Sequence, residues 1–190
     1  MKKPPVIKVL LGGDGGTGKT TFLLSNQRGM FSEAILTIGV EIFIASPSQT
    51  QNASKLLVFD LGGQERFQFL HDAFTAGTKA IILFYDLHRH TTFQSLRKWI
   101  MFLNSTMRVP VLICGTKSDL VSEETIKEFR SEFADLQTEH PVFQDVVDHL
   151  IFSSTNQNDI ARVFTKIWEM VQITHLSKNP SAKVMLKGSV

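Results

Sequence analysis

The sequence predicts an α/β fold: a mostly parallel six-stranded sheet with helices on both faces. Three observations carry this. Val6–Leu11, Ala80–Tyr85 and Val109–Cys114 are nearly continuous apolar runs, as expected of strands buried on both faces. The segments between and after them place apolar residues at helical spacing. A glycine-rich turn joins the first strand to the first helix.

Taken in order, Val6–Leu11 is the first strand and a helix runs from Lys19 to about Asn26. Residues 27–36 show little periodicity and read as irregular. Val40–Ala45 and Lys55–Phe59 flank the polar stretch Ser46–Ser54, with its Pro47 and Asn52, and read as an antiparallel hairpin. Ala80–Tyr85 precedes a helix over Thr92–Leu103, with Phe93, Leu96, Ile100 and Leu103 as its stripe. Val109–Cys114 leads to a helix from about Ser122, a suitable N-cap, to about Leu136; Ile126, Phe129 and Phe133 share a face. Leu150–Phe152 is a short last strand, and Asp159 caps a helix carrying Ile160, Val163, Phe164, Ile167, Trp168 and Val171. The helical pattern ends after His175. Residues 1–176 therefore read as one domain and 177–190 as a flexible tail, basic through Lys178, Lys183 and Lys187.

Composition narrows the function classes. With 190 residues, 43% apolar and 20% charged, the chain can bury a full core without staples. A net charge of +2 gives no reason to expect nucleic acid. The single cysteine, Cys114, lies inside an apolar run, so no disulfide framework is possible and a reducing, cytoplasmic setting is expected. The histidines are scattered; the close pair His88 and His90 has no cysteine or acid cluster beside it and reads as loop. No leader, membrane span or lipid-attachment cysteine is visible. Membrane association is expected through partners or the basic tail alone.

Gly13-Asp14-Gly15-Gly16-Thr17-Gly18-Lys19-Thr20 fits the pattern G-x-x-x-x-G-K-[ST] between a strand and a helix. Such a loop suits a triphosphate. Its glycines let backbone N–H groups close in on phosphate oxygens, and the helix N-terminus adds partial positive charge. Lys19 can reach the β- and γ-phosphates, and the Thr20 hydroxyl can ligate Mg²⁺. The competing reading is a glycine-rich turn with a surface lysine.

Asp60-Leu61-Gly62-Gly63-Gln64 follows the third strand. Asp60 can hold Mg²⁺ through water, Gly63 can offer its N–H to a γ-phosphate, and Gln64 can orient an attacking water. Thr116-Lys117-Ser118-Asp119 follows another buried strand. The Asp119 carboxylate can accept from guanine N1–H and the 2-amino group, donors that adenine lacks at those positions. The Lys117 stem can lie along the base.

With these motifs in order, the chain resembles Ras-superfamily small GTPases, closest to the Rab and Ras branches, over about Val6 to His175. The resemblance rests on Gly13–Thr20, Leu36-Thr37-Ile38-Gly39-Val40-Glu41, Asp60–Gln64 with Glu65-Arg66-Phe67, Thr116–Asp119 and Ser153-Ser154-Thr155. Tyr85-Asp86 with Phe93, Leu96, Trp99 and Ile100 resembles the Rab pattern. The resemblance implies the three-layer fold of phosphate-loop NTPases and a switch that hydrolyses GTP to GDP, in signalling or vesicle trafficking. Gln64, Lys19 and Thr37 would be catalytic. Asp14, Gly15, Gly16, Thr17, Gly18, Lys19, Thr20, Thr21, Phe31, Gly63, Thr116, Lys117, Asp119, Ser153, Ser154 and Thr155 would hold the nucleotide. Phe31 would pack edge-on against guanine, and the Ser154 N–H would approach guanine O6. Thr20, Thr37 and Asp60 would serve Mg²⁺, with Thr37 engaged in the GTP state alone.

The partners implied are an exchange factor, a GTPase-activating protein and effectors that read the switch faces. Ile38, Ile42, Phe59, Phe67, Phe69 and Phe74 cluster there; Ile42, Phe59 and Phe74 match the Rab hydrophobic triad. The chain departs from the usual pattern in places. Thr116 replaces the usual asparagine, with a looser tether to the phosphate loop as the expectation. Ser154-Thr155 replaces Ala-Lys. Leu61-Gly62-Gly63 is closer to Arf-type and Gα proteins, and the spacing from Thr20 to Thr37 is one residue short. Position 34 is alanine, so no internal arginine of the Gα kind stands before Thr37, and slow intrinsic turnover is expected. Two other readings share the phosphate loop: a module that holds GTP without efficient hydrolysis, and a phosphate-loop ATPase or kinase.

Overall fold

The computed structural model describes residues 6–25, 31–37, 40–45, 55–61, 75–104 and 107–177. In chain order these form β1 (Val6–Gly12), α1 (Lys19–Ser25), β2 (Phe31–Thr37), β3 (Val40–Ala45), β4 (Lys55–Asp60), β5 (Thr78–Asp86), α2 (His90–Gln94), α3 (Leu96–Asn104), β6 (Val111–Thr116), α4 (Glu123–Glu139), β7 (Val146–Ile151) and α5 (Gln157–Ser177). Short 3-10 turns occupy Ser118–Leu120 and Pro141–Asp145.

One sheet runs in the order β2-β3-β4-β1-β5-β6-β7. The strands β4, β1, β5, β6 and β7 run parallel to one another, while β3 is antiparallel to both β2 and β4. Period-two alternation sends successive residues of β1 to opposite faces. Ile7, Val9 and Leu11 join the core beneath α1 and α5, whereas Leu10 joins the core beneath α2, α3 and α4. On the first face the Phe22 and Phe164 rings stack at 4.6 Å between centroids. On the second, Tyr85 meets Phe93 edge-on at 5.0 Å and Phe129 at 5.4 Å. All of β6 is buried, which explains its unbroken apolar run.

The predicted hairpin is β3 with β4, Glu41 opposite Asp60 and Ala45 opposite Leu56. The predicted sheet gains one strand. The segment read as irregular contains β2, which pairs antiparallel with β3, Thr37 opposite Val40. An edge strand satisfies its backbone on one side only, so it needs no apolar alternation to be read by eye. The last strand starts earlier than expected, at Val146, because Asp148 and His149 interrupt its apolar pattern without interrupting its pairing to β6. The helix after β5 is divided at Ser95, and His90 opens its first part instead of lying in a loop.

Two capping assignments separate cleanly. Ser122 caps α4, accepting from the Thr125 N–H at 3.3 Å. At α5 the cap is Asn156, whose Oδ1 accepts from the Asn158 N–H at 3.0 Å, not Asp159. Asp159 instead takes the Ser153 N–H at 3.1 Å. The helix continues through Ser177, past the end of the apolar pattern. No helix among the described residues is long and apolar enough to cross a membrane. The parallel strands send their carboxyl ends to one edge of the sheet, where ligands of such folds sit.

Candidate functional site

Five segments meet at that edge: Gly13–Thr20 after β1, Asp60 ending β4, Asp86–Arg89 after β5, Thr116–Asp119 after β6 and Ser153–Thr155 after β7. The glycine loop is tight at its base. Gly13 takes φ +127°, and a Cβ there would run into the Phe84 carbonyl. Gly16 and Gly18 also sit at positive φ, 73° and 87°, where L side chains are strained.

Lys19 is almost fully buried and curls back over the loop. Its Nζ donates to the Gly13 carbonyl at 2.8 Å and the Asp14 carbonyl at 2.9 Å. Burial pulls its pKa below the ordinary lysine value; the carboxylates of Asp60 and Asp14 oppose this, and Arg89 adds to it. Thr17 is buried, and its hydroxyl donates to the Asp14 carbonyl at 2.9 Å, so it shapes the loop internally. Thr21 is exposed on the first turn of α1. The Asp14 side chain turns away from the loop's mouth to accept the Trp99 indole N–H at 2.8 Å.

Thr20 and Asp60 converge although 40 positions apart: the hydroxyl donates to Oδ2 at 2.7 Å. Asp60 is buried and Thr20 exposed, so the pair borders solvent. A hydroxyl and a carboxylate at the rim of a phosphate loop form an all-oxygen donor set, which fits Mg²⁺.

The segments Thr116–Asp119 and Ser153–Thr155, expected on the base side, follow β6 and β7. Thr116 does reach the phosphate loop: its Oγ1 lies 2.8 Å from the Thr17 carbonyl and 3.0 Å from the Tyr85 carbonyl. The looser tether expected of threonine is therefore corrected, because the fully buried hydroxyl stands directly against the loop. Lys117 adopts φ +62°, and its Nζ meets Asp86 Oδ2 at 2.6 Å. Asp119 lies exposed on the following 3-10 turn. The Ser153 hydroxyl is 2.7 Å from Thr155 Oγ1 and accepts the Thr155 N–H at 3.1 Å. Ser154 Oγ is buried and has no hydrogen-bond partner among the described residues. Such an atom is costly unless a ligand or water meets it.

Asp86 and Arg89 are the site residues that sequence reasoning left unassigned. Asp86 is 1% exposed and receives Lys117, the Arg89 Nε at 2.9 Å and the His88 N–H at 2.9 Å. Burial pushes its carboxyl up, but these donors outweigh burial and hold it below the usual carboxylate value. Arg89 then extends Nη2 to the Gly15 carbonyl at 2.8 Å. The available signal was positional: Asp86 ends a buried strand next to the strand that feeds the glycine loop.

Other predicted residues lie elsewhere. The backbone of Phe31 and Thr37 belongs to β2, the outer strand, with β3 and β4 between it and β1. Ile42 and Phe59 face each other across β3 and β4, both half-buried against the core. Gly63, Gln64, Phe67, Phe69, Phe74, Ile38 and residues 178–190 lie outside the described residues.

Comparison with known proteins adds a separate line of evidence. The sequence pattern of the Ras family matches residues 8–173. The chain is 31% identical to the Ras-related protein Rab-11A of Dictyostelium discoideum, over 92% of this chain and 78% of that protein. It is also 31% identical to the Ras-related protein RABA1c of Arabidopsis thaliana, over 96% of this chain and 85% of that protein. A third relative, the Ras-related protein RIC2 of Oryza sativa subsp. japonica, is 31% identical over 87% of this chain and 76% of its own length.

Proposed function

Because the chain belongs to the Ras family and is a Rab-like small GTPase, a hydrolase of GTP, we propose that residues 1–176 are its GTPase domain and act as a Mg²⁺-dependent switch. The observation that carries this is the buried Lys19 ammonium, held by two loop carbonyls beside the Thr20–Asp60 pair. A lysine so placed meets the charge of a triphosphate without having to find its position.

In this reading the loop amides of Asp14–Thr20 cradle the phosphates, with Thr21 next along the helix. Lys19 neutralises charge on the β- and γ-phosphates. Thr20 and Asp60, with Thr37 in the GTP state, would hold Mg²⁺, which when bound draws charge from the same phosphates. Gln64 orients the attacking water, and Gly63 offers its N–H to the γ-phosphate. Asp119 reads the guanine edge, with Lys117 alongside, Phe31 edge-on, and Ser153–Thr155 across from them. The unpartnered Ser154 hydroxyl supports a polar ligand at that place.

Thr37 can reach the γ-phosphate once the β2 end leaves β3. An edge strand makes this a local step, since it breaks one ladder and leaves the rest of the sheet intact. GTP would thus hold the Thr37 and Gly63 segments together, and hydrolysis would release them. An activating protein's arginine is then worth roughly 10³ to 10⁵ in rate. Exchange factors, activating proteins and effectors of the signalling or trafficking kind are its partners. The basic residues 177–190 form a tail, and each lysine near an anionic membrane would add about 1 kcal/mol.

The test pairs binding with chemistry. Asp119→Asn should move base preference from guanine toward xanthine nucleotides, measured by competition against a labelled GDP. Unchanged preference would remove Asp119 from its role, and a wild-type preference for ATP would favour the ATPase or kinase reading. Gln64→Leu should lower single-turnover GTP hydrolysis at least about tenfold while GTP stays bound. No change would make the glutamine a bystander.

A further inference from the structure

The Gly15–Gly16 peptide has an unusual freedom. Its C=O belongs to Gly15 and its N–H to Gly16, and a planar trans peptide points the two in opposite directions. Reversing a peptide changes ψ of the first residue and φ of the second. Side chains oppose that change, and here neither residue has one. A Cβ built on Gly15 meets nothing within 4 Å, so the side-chain face of that residue is open. The motif that makes the loop close-fitting therefore leaves one of its amides able to face either way.

Arg89 grips that peptide from behind. Its Nη2 donates to the Gly15 carbonyl at 2.8 Å, and the same nitrogen lies 3.3 Å from where a Gly16 Cβ would stand. The arginine is itself anchored. Nε rests on Asp86 Oδ2 at 2.9 Å, its backbone N–H on the Asp86 carbonyl at 2.9 Å, and its carbonyl takes the Thr92 hydroxyl at 2.7 Å. Asp86 is in turn fixed by burial and by Lys117. A guanidinium can span the carboxylate and the carbonyl at once because its donors form a rigid fork.

We propose that Arg89 is a positioning residue: it locks the Gly15–Gly16 peptide with the Gly16 N–H facing the β-phosphate of the bound nucleotide. This rests on the guanine-nucleotide reading above and adds to it a brace from outside the phosphate-loop motif. The guanidinium acts through the backbone and does not touch the reacting atoms. Because Asp86 Oδ2 receives both Arg89 and Lys117, the brace also ties the phosphate loop to the base-reading segment.

The experiment measures release of fluorescent GDP from full-length wild-type, R89A and R89K proteins, with GMP competition as a second reading. Losing one charge-assisted hydrogen bond predicts roughly tenfold faster GDP release from R89A. GMP has no β-phosphate, so its competition should be unchanged. R89K keeps the charge but lacks the fork and should resemble R89A. GDP release from R89A within about twofold of wild type overturns the proposal. So does wild-type behaviour of R89K, which would make charge alone sufficient, or an equal loss of GMP binding, which would mean a collapsed pocket. If R89A does not fold, R89K decides by the same two rates. Wild-type protein that retains no GDP overturns the underlying reading as well, and that result is distinct from a silent R89A.

Discussion

The phosphate loop and the base-side segments are built on different principles. The loop is braced from a distance: Arg89, Trp99 and Thr116 reach it across 74, 85 and 99 positions of chain. The Ser153–Thr155 turn is braced by its neighbours, through the Ser153 hydroxyl and the Asp159 carboxylate six positions on. A glycine-rich loop can approach its ligand closely because it has few side chains, and beyond the Thr17 and Lys19 bonds to its own carbonyls its bracing comes from outside. A turn rich in serine and threonine carries its own hydrogen-bonding groups and settles locally. Close approach is thus obtained at the cost of importing rigidity from elsewhere in the fold.

The largest effect that would sharpen this contrast concerns the support under the base side. The Tyr85 hydroxyl lies 2.8 Å from His149 Nε2, beneath the strand end that carries Thr116. Burial pushes His149 down to about 4, Arg130 adds to the shift and Asp148 opposes it. Below the ordinary value of 6.5 the unfolded chain takes up a proton that the folded chain refuses. Stability is therefore full above about pH 6.5 and falls as pH drops toward 4. Chemical denaturation at pH 5 should show a loss on the order of 2 kcal/mol relative to pH 7.5. His149→Gln, which cannot titrate, should flatten that slope; an unaltered slope would exclude the histidine as its source.

The next effect is on the long-range brace. Thr116→Val keeps shape but leaves the Thr17 and Tyr85 carbonyls without the hydroxyl. Losing the hydroxyl at the Thr17 carbonyl of the loop predicts roughly tenfold faster GDP release, read by fluorescence. A rate equal to wild type would show that the loop stands without this tether and would break the contrast. The smallest effect is expected of Ser153→Ala. It removes two local contacts to Thr155 within a turn that retains the Asp159 contact, so GDP release should change by no more than about threefold. A loss larger than that of Thr116→Val would reverse the comparison.

Much of the site was legible because its chemistry is local in sequence. The glycine pattern, Lys19, Thr20 and Asp60 could be named from motif and strand order, and the fold brings the last two within 2.7 Å. Arg89 could not be named that way. It follows Asp86 in a polar turn whose residues resemble any strand-to-helix connection, and its importance lies in the carbonyl it reaches. β2 was missed because edge pairing leaves little trace in the pattern of side chains. Asp159 was misread as a cap because Asn156, three residues earlier, satisfies the same helix end and frees Asp159 for Ser153.

Sequence by itself determined the class of fold and supplied the glycine-loop, lysine and carboxylate motifs on which the proposed guanine-nucleotide reading rests. Apolar periodicity and motif chemistry act within a few residues and can be read from a string. Tertiary structure decided which groups brace that loop, which carboxylate joins phosphate side to base side, and how far the sheet extends at its edge. Those outcomes depend on distances between strands adjacent in space and remote in the chain, and no local pattern records them.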